Sequence, residues 1–428
     1  MKNIKRSTAD RVLLILIAIW LSRAWIYLGD AETQEEINAP LIFFYQIFCQ
    51  LICLYLMMIK VKIRDLISLM GQDRLLFILL LLSLVLLPFS TVFVNSFGMM
   101  RAVILLIVGT CYIRKRMSTS EIVRTTVDVA GVIVLLSVVA ALIFPFGSAG
   151  GPHLGNWRGL FSHKNSLGEM SAFSLIITIS YAIGYKAYRL RYALYVLMAG
   201  ICLVMSGSAT SSGAALVVVG FVLTIQFIAR LPIGRFARSL FSIAFFLAVG
   251  FGAYYILDSA VELFGRDLTF TGRTFIWLQY LEFAAERPFT GWGWTASSNN
   301  ESIVLAVRDF TRLSYLRTTH SIYVQMAVDF GYLFAAIYIL WIFRTTISSF
   351  VFAAKYRSPA HIVRAAVAAG TLLIGGFESI VGIMPCLWFG LLLLTLPKPE
   401  PTLVIEKVPS LGGHMAGRYP LWPRKGLS

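Results

Sequence analysis

Residues 258–320 read DSAVELFGRDLTFTGRTFIWLQYLEFAAERPFTGWGWTASSNNESIVLAVRDFTRLSYLRTTH, and they interrupt a chain that is otherwise a succession of apolar runs. The stretch holds Arg266, Arg273, Arg287, Arg308, Arg312 and Arg317, and it closes on His320 at the lip of the next apolar run. Loops of this length inside a compact protein are functional or disordered. Phe270, Phe275, Trp277, Leu281, Phe283, Trp292 and Trp294 make the stretch too apolar and aromatic for disorder. Two amphipathic helices are expected within it. One covers residues 273–286, from a turn at Gly272 to the stop at Pro288, with Phe275, Leu278, Leu281 and Ala285 at helical spacing. The other covers residues 301–317 and sets Val304, Val307 and Leu313 apart from Arg308 and Arg312. Both are expected to lie on the outer membrane surface, apolar side down. The GWGW turn between them supplies tryptophans suited to the membrane interface.

The rest of the chain sets the frame. Of 428 residues, 58% are hydrophobic and 14% charged, whereas a soluble domain carries roughly 25% charged residues. Repeated apolar runs of about 17–25 residues are the mark of membrane-spanning helices. The expectation is an all-α polytopic membrane protein with about twelve spans, near residues 11–29, 40–60, 74–90, 97–113, 122–145, 166–184, 192–209, 212–229, 238–257, 320–343, 361–378 and 382–396. They form one transmembrane domain over residues 1–396, followed by a Pro/Gly-rich, flexible tail over residues 397–428. Lys2, Lys5, Arg6 and Arg11 before an apolar run resemble a secretory signal. Arg23 and aromatics follow with no small-residue cleavage site, so the run reads as a retained first span. Cys49, Cys53, Cys111, Cys202 and Cys386 sit in or beside apolar runs and read as packing residues, with neither a disulfide framework nor zinc spacing.

A net charge of +16 on a soluble protein would suggest nucleic acid. Here its placement says otherwise. Most Lys and Arg fall in every second connection, around residues 60–74, 114–124, 186–191, 230–238 and 344–364 and at both termini. Basic connections stay cytoplasmic, so both termini are expected inside and the charge is spent on topology and anionic membrane lipids. Eight basic residues break that pattern: Arg158 and Lys164 in the outer segment 147–165, and the six arginines of 258–320. An anionic ligand is the simplest reason for them.

Several residues could carry chemistry. In GNWRGLFSHKNSLGE, residues 155–169, Arg158, His163, Lys164 and Asn165 precede a span. They are either basic groups snorkelling to the headgroups or a cationic pocket for phosphate, with Gly155, Gly159 and Gly168 allowing close backbone approach. Arg273 stands at a helix start, where a guanidinium adds a bidentate fork to a site that already favours anions; the alternative is a surface arginine. His320 lies where loop meets span, three residues after Arg317. It is either a proton acceptor near neutral pH or a hydrogen-bonded interfacial histidine. Arg23, Arg101, Asp128, Glu169, Asp329 and Glu378 are ionisable groups within apolar runs. They are functional candidates, or partners of one another between helices. No phosphate-binding P-loop, HExxH or GxSxG motif occurs. The outer face also lacks the clustered acids that hold a diphosphate through Mg²⁺, so no metal and no cofactor are expected.

The order RG-x-F-x-HKN-x-LG (158–168), the small-residue hairpin SGSATSSG (206–213), TGR-T-x-I-W with ERP-x-x-GWG (271–293), and H-S-x-Y-x-Q-x-x-x-x-x-G (320–331) resembles the O-antigen ligase and polymerase superfamily, and within it the ExoQ-like exopolysaccharide polymerases. The resemblance covers roughly residues 75–395, with specific motifs in 155–331. It implies a GT-C-like helical glycosyltransferase, metal-independent and inverting, in the bacterial inner membrane, with its long helical loop in the periplasm. It implies a glycan on undecaprenyl diphosphate as substrate, and a repeat-unit flippase and a chain-length regulator as partners. By position, the family's motif arginines match Arg158 and Arg273, and its motif histidine matches His320. Lys164, Asn165, His163, Arg317, Arg266 and Thr210 then fall on the substrate side. Thr210 stands where many relatives carry a basic residue, and Ser321 where Asn is common; both bear on the acceptor contacts. A polymerase is the first expectation and a ligase onto lipid A–core or another acceptor the second. A polysaccharide transporter or flippase is the third, disfavoured because no half-repeat is visible and the polar residues gather at one face.

Overall fold

The computed structural model describes residues 2–22, 61–149, 154–161, 163–234, 273–312, 318–356 and 358–378, with Leu316, Leu396 and scattered residues of 47–55 and 236–248. Among them stand fourteen helices and no strand. They are α1 (Lys2–Ser22), α2 (Ile63–Gly71), α3 (Arg74–Leu86), α4 (Phe93–Arg116), α5 (Thr119–Ile143), α6 (Lys164–Tyr185), α7 (Leu190–Ser206) and α8 (Ala209–Arg230), then α9 (Arg273–Glu286), α10 (Ala296–Asn299), α11 (Glu301–Thr311), α12 (Ile322–Phe330), α13 (Tyr332–Tyr356) and α14 (Pro359–Phe377).

Six of these helices are long and apolar enough to cross a bilayer: α4, α5, α6, α8, α13 and α14. Their outward surfaces remain apolar, as at Val94, Leu142, Leu216 and Leu340, which suits lipid and not water. Three expected spans take a different form. Span 74–90 is α3 with the turn after it, and α2, in what the sequence reads as a connection, meets it at a bend of 117°. Span 192–209 is the 17-residue α7. Span 320–343 breaks at Gly331, whose φ of 86 suits glycine. The long apolar helix begins only at Tyr332 and carries Arg344 within it rather than in a connection. Of the remaining expected spans, 40–60, 238–257 and 382–396 lie wholly or mostly outside the described residues, as does the tail 397–428.

Local chemistry sets the helix ends. Asp73 caps α3. Ser118 and Glu121 form a reciprocal capping box on α5, which satisfies N–H groups a helix start leaves unpaired. Lys186 and Gly207 close α6 and α7 in the left-handed conformation. The hairpin expected over 206–213 is thus tighter than its sequence suggests, because helix resumes at Ala209.

Helix α6 is central, packed against α5, α7, α8 and α14. Small residues let the backbones approach: Ser171, Ala172 and Ser174 on α6, and Ala365, Ala366, Ala368 and Ala369 on α14. Phe221 of α8 and Phe350 of α13 meet with ring centroids 4.1 Å apart. Cys111 and Cys202 are free and buried, as packing residues should be; Cys49, Cys53 and Cys386 lie outside the described residues.

The connections sort to two ends. One end gathers basic turns and their acids: Arg116 with Asp10 at 3.4 Å, Arg11 with Glu121 at 3.3 Å, and Arg191 with Asp128 at 3.4 Å. The last pairs α7 with α5, so Asp128 is an interhelical partner. The other end gathers the α3–α4 turn, the 144–161 segment, the α7–α8 turn, the layer α9–α12 and the close of α14. There Thr91 N–H donates to the Trp292 carbonyl at 2.8 Å and Trp157 N–H to that of Met205 at 2.9 Å.

Candidate active site

The layer over that second end is built on α9, α11 and α12. Helix α9 runs Arg273–Glu286 and stops ahead of Pro288, as that proline predicts; Gly272 lies outside the described residues. Its packed face is Ile276, Tyr280 and Ala284, one residue per turn, set against α11 and α12. Of the expected stripe, Phe275 and Leu278 face outward, both more than half exposed, and Leu281 packs against the core. The helix is apolar on both sides, and tertiary packing chose between them. Helix α11 ends at Thr311, earlier than expected, because Arg312 turns left-handed.

The GWGW turn wraps the end of α12. Trp292 N–H donates to the Val328 carbonyl and Gly293 N–H to that of Asp329, each at 2.9 Å, which satisfies carbonyls that a helix end leaves open. A Cβ on Gly291 would stand 2.4 Å from the Asp329 carbonyl, so only glycine fits. The Asp329 carboxylate accepts from Thr295 N–H at 2.8 Å, Ser297 N–H at 2.9 Å and Gln325 Nε2 at 3.2 Å. Burial pushes this carboxyl up to about 6, against the pull of those donors. Asp329 is thus an anchor for the turn rather than a ligand group. The tryptophans are half-buried and held by the protein: Trp292 Nε1 donates to the Phe283 carbonyl at 2.8 Å, and Trp294 meets Phe330 edge-on.

This scaffold presents His320. Its turn is pinned on both sides: Trp277 Nε1 donates to the Thr319 carbonyl at 3.0 Å, and Thr319 Oγ1 to that of Ser321 at 2.8 Å. His320 itself has a φ of 50, which is rare without glycine. Helix α12 then runs against α14. Tyr323 hydroxyl donates to the Leu372 carbonyl at 2.7 Å, and a Cβ on Gly375 would come within 2.7 Å of Ile322 Cγ2.

That close approach brings Glu378, the residue after α14, beneath the histidine. Glu378 Oε2 lies 3.9 Å from His320 Nδ1, and Oε1 lies 3.5 Å from a terminal nitrogen of Arg273. The other terminal nitrogen of Arg273 donates to the Phe377 carbonyl at 2.6 Å. From α6, the fully buried Glu169 feels the charges of Glu378 and Arg273, and its Oε2 has no hydrogen-bond partner among the described residues. The result is a guanidinium, an imidazole and two carboxylates from four segments, with His320 the most open: its side chain is 29% exposed against 14% for Arg273.

Arg158 and Lys164 form a second basic group at the same end. Arg158 is buried, with Nε donating to the Phe146 carbonyl at 2.6 Å. Lys164 is buried too, its Nζ 3.3 Å from the Gly207 carbonyl. The exposed His163 caps α6, accepting at Nδ1 from Asn165 N–H at 3.2 Å. Thr210 sits half-buried in the first turn of α8. Lys164 and Glu169 share α6, and five residues of helix rise about 7.5 Å, so α6 links the two groups. Gly159 and Gly168 are needed for packing, since a Cβ would strike Ser137 and Ser208 respectively; Gly155 faces open space.

Not every arginine of residues 258–320 is spare for a ligand. Arg287 stacks 4.3 Å from the Trp292 ring centroid, and Arg308 Nε donates to the Leu316 carbonyl at 2.8 Å. Arg266 and Arg317 lie outside the described residues. Sequence reasoning had Glu169 and Glu378 only among the ionisable groups of apolar runs. Nothing in the residue order pairs them with Arg273.

Residues 193–339 match the family model described as O-antigen ligase. The chain is 32% identical over 146 residues to the exopolysaccharide production protein ExoQ of Rhizobium meliloti (strain 1021), an alignment covering 32% of this chain and 33% of that relative. The chain therefore spans about a third of the length of the relative that it matches. The stretch matched by the family model holds Arg273, the GWGW turn and His320, and this membrane protein thus carries in residues 193–339 a region that matches the O-antigen ligase family.

Proposed function

We propose that the chain is an integral-membrane glycosyltransferase that joins undecaprenyl-diphosphate-linked repeat units into an exopolysaccharide or O-antigen-type polymer at the outer face of the bacterial inner membrane. The observation that carries this reading is the meeting of Arg273 and His320 around Glu378, from parts of the chain far apart in sequence.

In the proposed reaction a sugar hydroxyl of one lipid-linked repeat attacks the anomeric carbon of another. A new C–O bond forms there as the bond to the diphosphate breaks, and that electron pair leaves with the diphosphate. The hydroxyl proton passes to His320. Arg273 meets the charge gathering on the leaving diphosphate, and Arg158 and Lys164 add positive charge from the neighbouring group. In-line displacement inverts the anomeric carbon. The role given to the arginines requires no metal or other cofactor. A repeat-unit flippase would deliver the substrate and a chain-length regulator would act on the product.

A ligase is the second reading, supported by the description of the family model. A deletion strain separates the two. Single repeats in place of polymer are expected for a polymerase, whereas intact polymer stranded on its lipid carrier marks a ligase. Complementation with Arg273→Ala is expected to lower polymer by on the order of 10²–10³ at unchanged protein level. Normal yield and length from that variant would remove the proposal.

A further inference from the structure

We propose that Glu378 is the positioning residue of this site, holding the Nδ1 edge of His320 so that Nε2 is the atom offered to the acceptor hydroxyl. The inference rests on the glycosyltransferase reading for its purpose, though not for its geometry.

Glu378 is fixed by its backbone. It caps α14 through N–H donation to the Ile374 carbonyl at 2.9 Å and leaves the helix in an extended conformation. Its carboxylate is divided, Oε1 toward Arg273 and Oε2 toward His320. Neither contact is a closed hydrogen bond: 3.5 Å and 3.9 Å exceed the usual reach of about 2.7–3.2 Å. The residue is nevertheless buried at 7% exposure, and Oε1 has no hydrogen-bond partner among the described residues. A buried acceptor left open is costly, so this carboxylate is poised to close on either neighbour.

The charged neighbours are Arg273 from α9, His320 from its turn and Glu169 from α6. With a carboxylate at its Nδ1 edge, the neutral ring keeps its proton on Nδ1 and leaves the Nε2 lone pair free to accept another. When a diphosphate draws the Arg273 fork, Glu378 is released from that partner and faces His320 alone. Glu169 remains as the second carboxylate near Arg273. Arrival of the donor and readiness of the base are thereby coupled through one side chain.

The test uses the full chain purified in detergent with ¹⁵N-labelled histidine rings. Five histidines are present, and loss of one signal in His320→Gln assigns the ring. At alkaline pH the wild-type ring is expected as the Nδ1–H tautomer. In Glu378→Leu it is expected to revert to the Nε2–H form that free imidazole favours. In cells, Glu378→Leu is expected to lose polymer by on the order of 10²-fold, with Glu378→Asp recovering part of it. An Nε2–H ring in the wild-type chain overturns the proposal, and that measurement stands even if Glu378→Leu does not fold. Full polymer from a folded Glu378→Leu chain overturns it as well. Failure of the glycosyltransferase reading shows separately, as normal polymer from Arg273→Ala with the tautomer unchanged.

Discussion

Replacing Asp329 tests whether the layer over the bundle is held from within. Its carboxylate accepts from the backbone N–H groups of Thr295 and Ser297, and both of those residues are buried. In Asp329→Ala both donors lose their acceptor, at about 1–3 kcal/mol each. Against this stands the relief of a buried charge. The folded carboxyl is raised from 3.8 to about 6, a difference worth about 3 kcal/mol. For a carboxyl raised in this way the native state binds more protons than the unfolded chain between those two values. Wild-type stability therefore falls as pH rises through that window, and the loss is complete above about 6.

At pH 8 the two terms oppose, and Asp329→Ala is expected to be destabilised by about 0–3 kcal/mol. At pH 5 about half of the charge cost has gone from the wild type, and the deficit of the variant is expected to widen by about 1–2 kcal/mol. Thermal unfolding of both chains in detergent, followed by tryptophan fluorescence at the two pH values, reads this directly. A gap that narrows on acidification, or no gap at either pH, refutes the assignment of Asp329 as the anchor of the GWGW turn.

Two further outcomes check the site. Gly375→Val places a Cβ 2.7 Å from Ile322 Cγ2, so α12 must retreat by about 1 Å to restore a normal contact near 3.5–4.0 Å. The variant is expected to lose about 1–3 kcal/mol of stability. It is also expected to lose polymer by about 10²-fold, because His320 moves with α12; a stable chain with full polymer would show that the approach is not required. Single cysteines at the exposed positions Asn299 and Tyr188, in an otherwise cysteine-free chain, test which end faces out. Asn299→Cys is expected to react with an impermeant maleimide on intact spheroplasts, and Tyr188→Cys only after permeabilisation. The reverse pattern would set Arg273 and His320 on the cytosolic side and end the proposed chemistry.

Residue order was most informative where one short stretch decides its own structure. Pro288 set the end of α9 correctly, since a proline cannot continue a helix and sets its end locally. The helix face was not legible, because Phe275 and Ile276 are equally apolar and only the presence of α11 and α12 distinguishes them. Gly331 divides what composition alone reads as one span. Hydropathy averages over a window, whereas a single positive φ ends a helix. The arginines of residues 258–320 share one chemistry in the sequence. The structure divides them, with Arg287 on an indole, Arg308 on a carbonyl and Arg273 on a carboxylate.

The sequence by itself determined the class of the protein, because the apolar fraction and the placement of Lys and Arg answer to the bilayer and not to packing. It also determined which residues stand in motifs, Arg158, Arg273 and His320 among them. Only the tertiary structure decided that Glu378 and Glu169 come to Arg273 and His320 while Asp329, equally acidic and equally buried, ties down a turn. A carboxylate in an apolar run must find a partner. Which partner depends on how closely two helices approach, and here that distance is set by one missing side chain at Gly375.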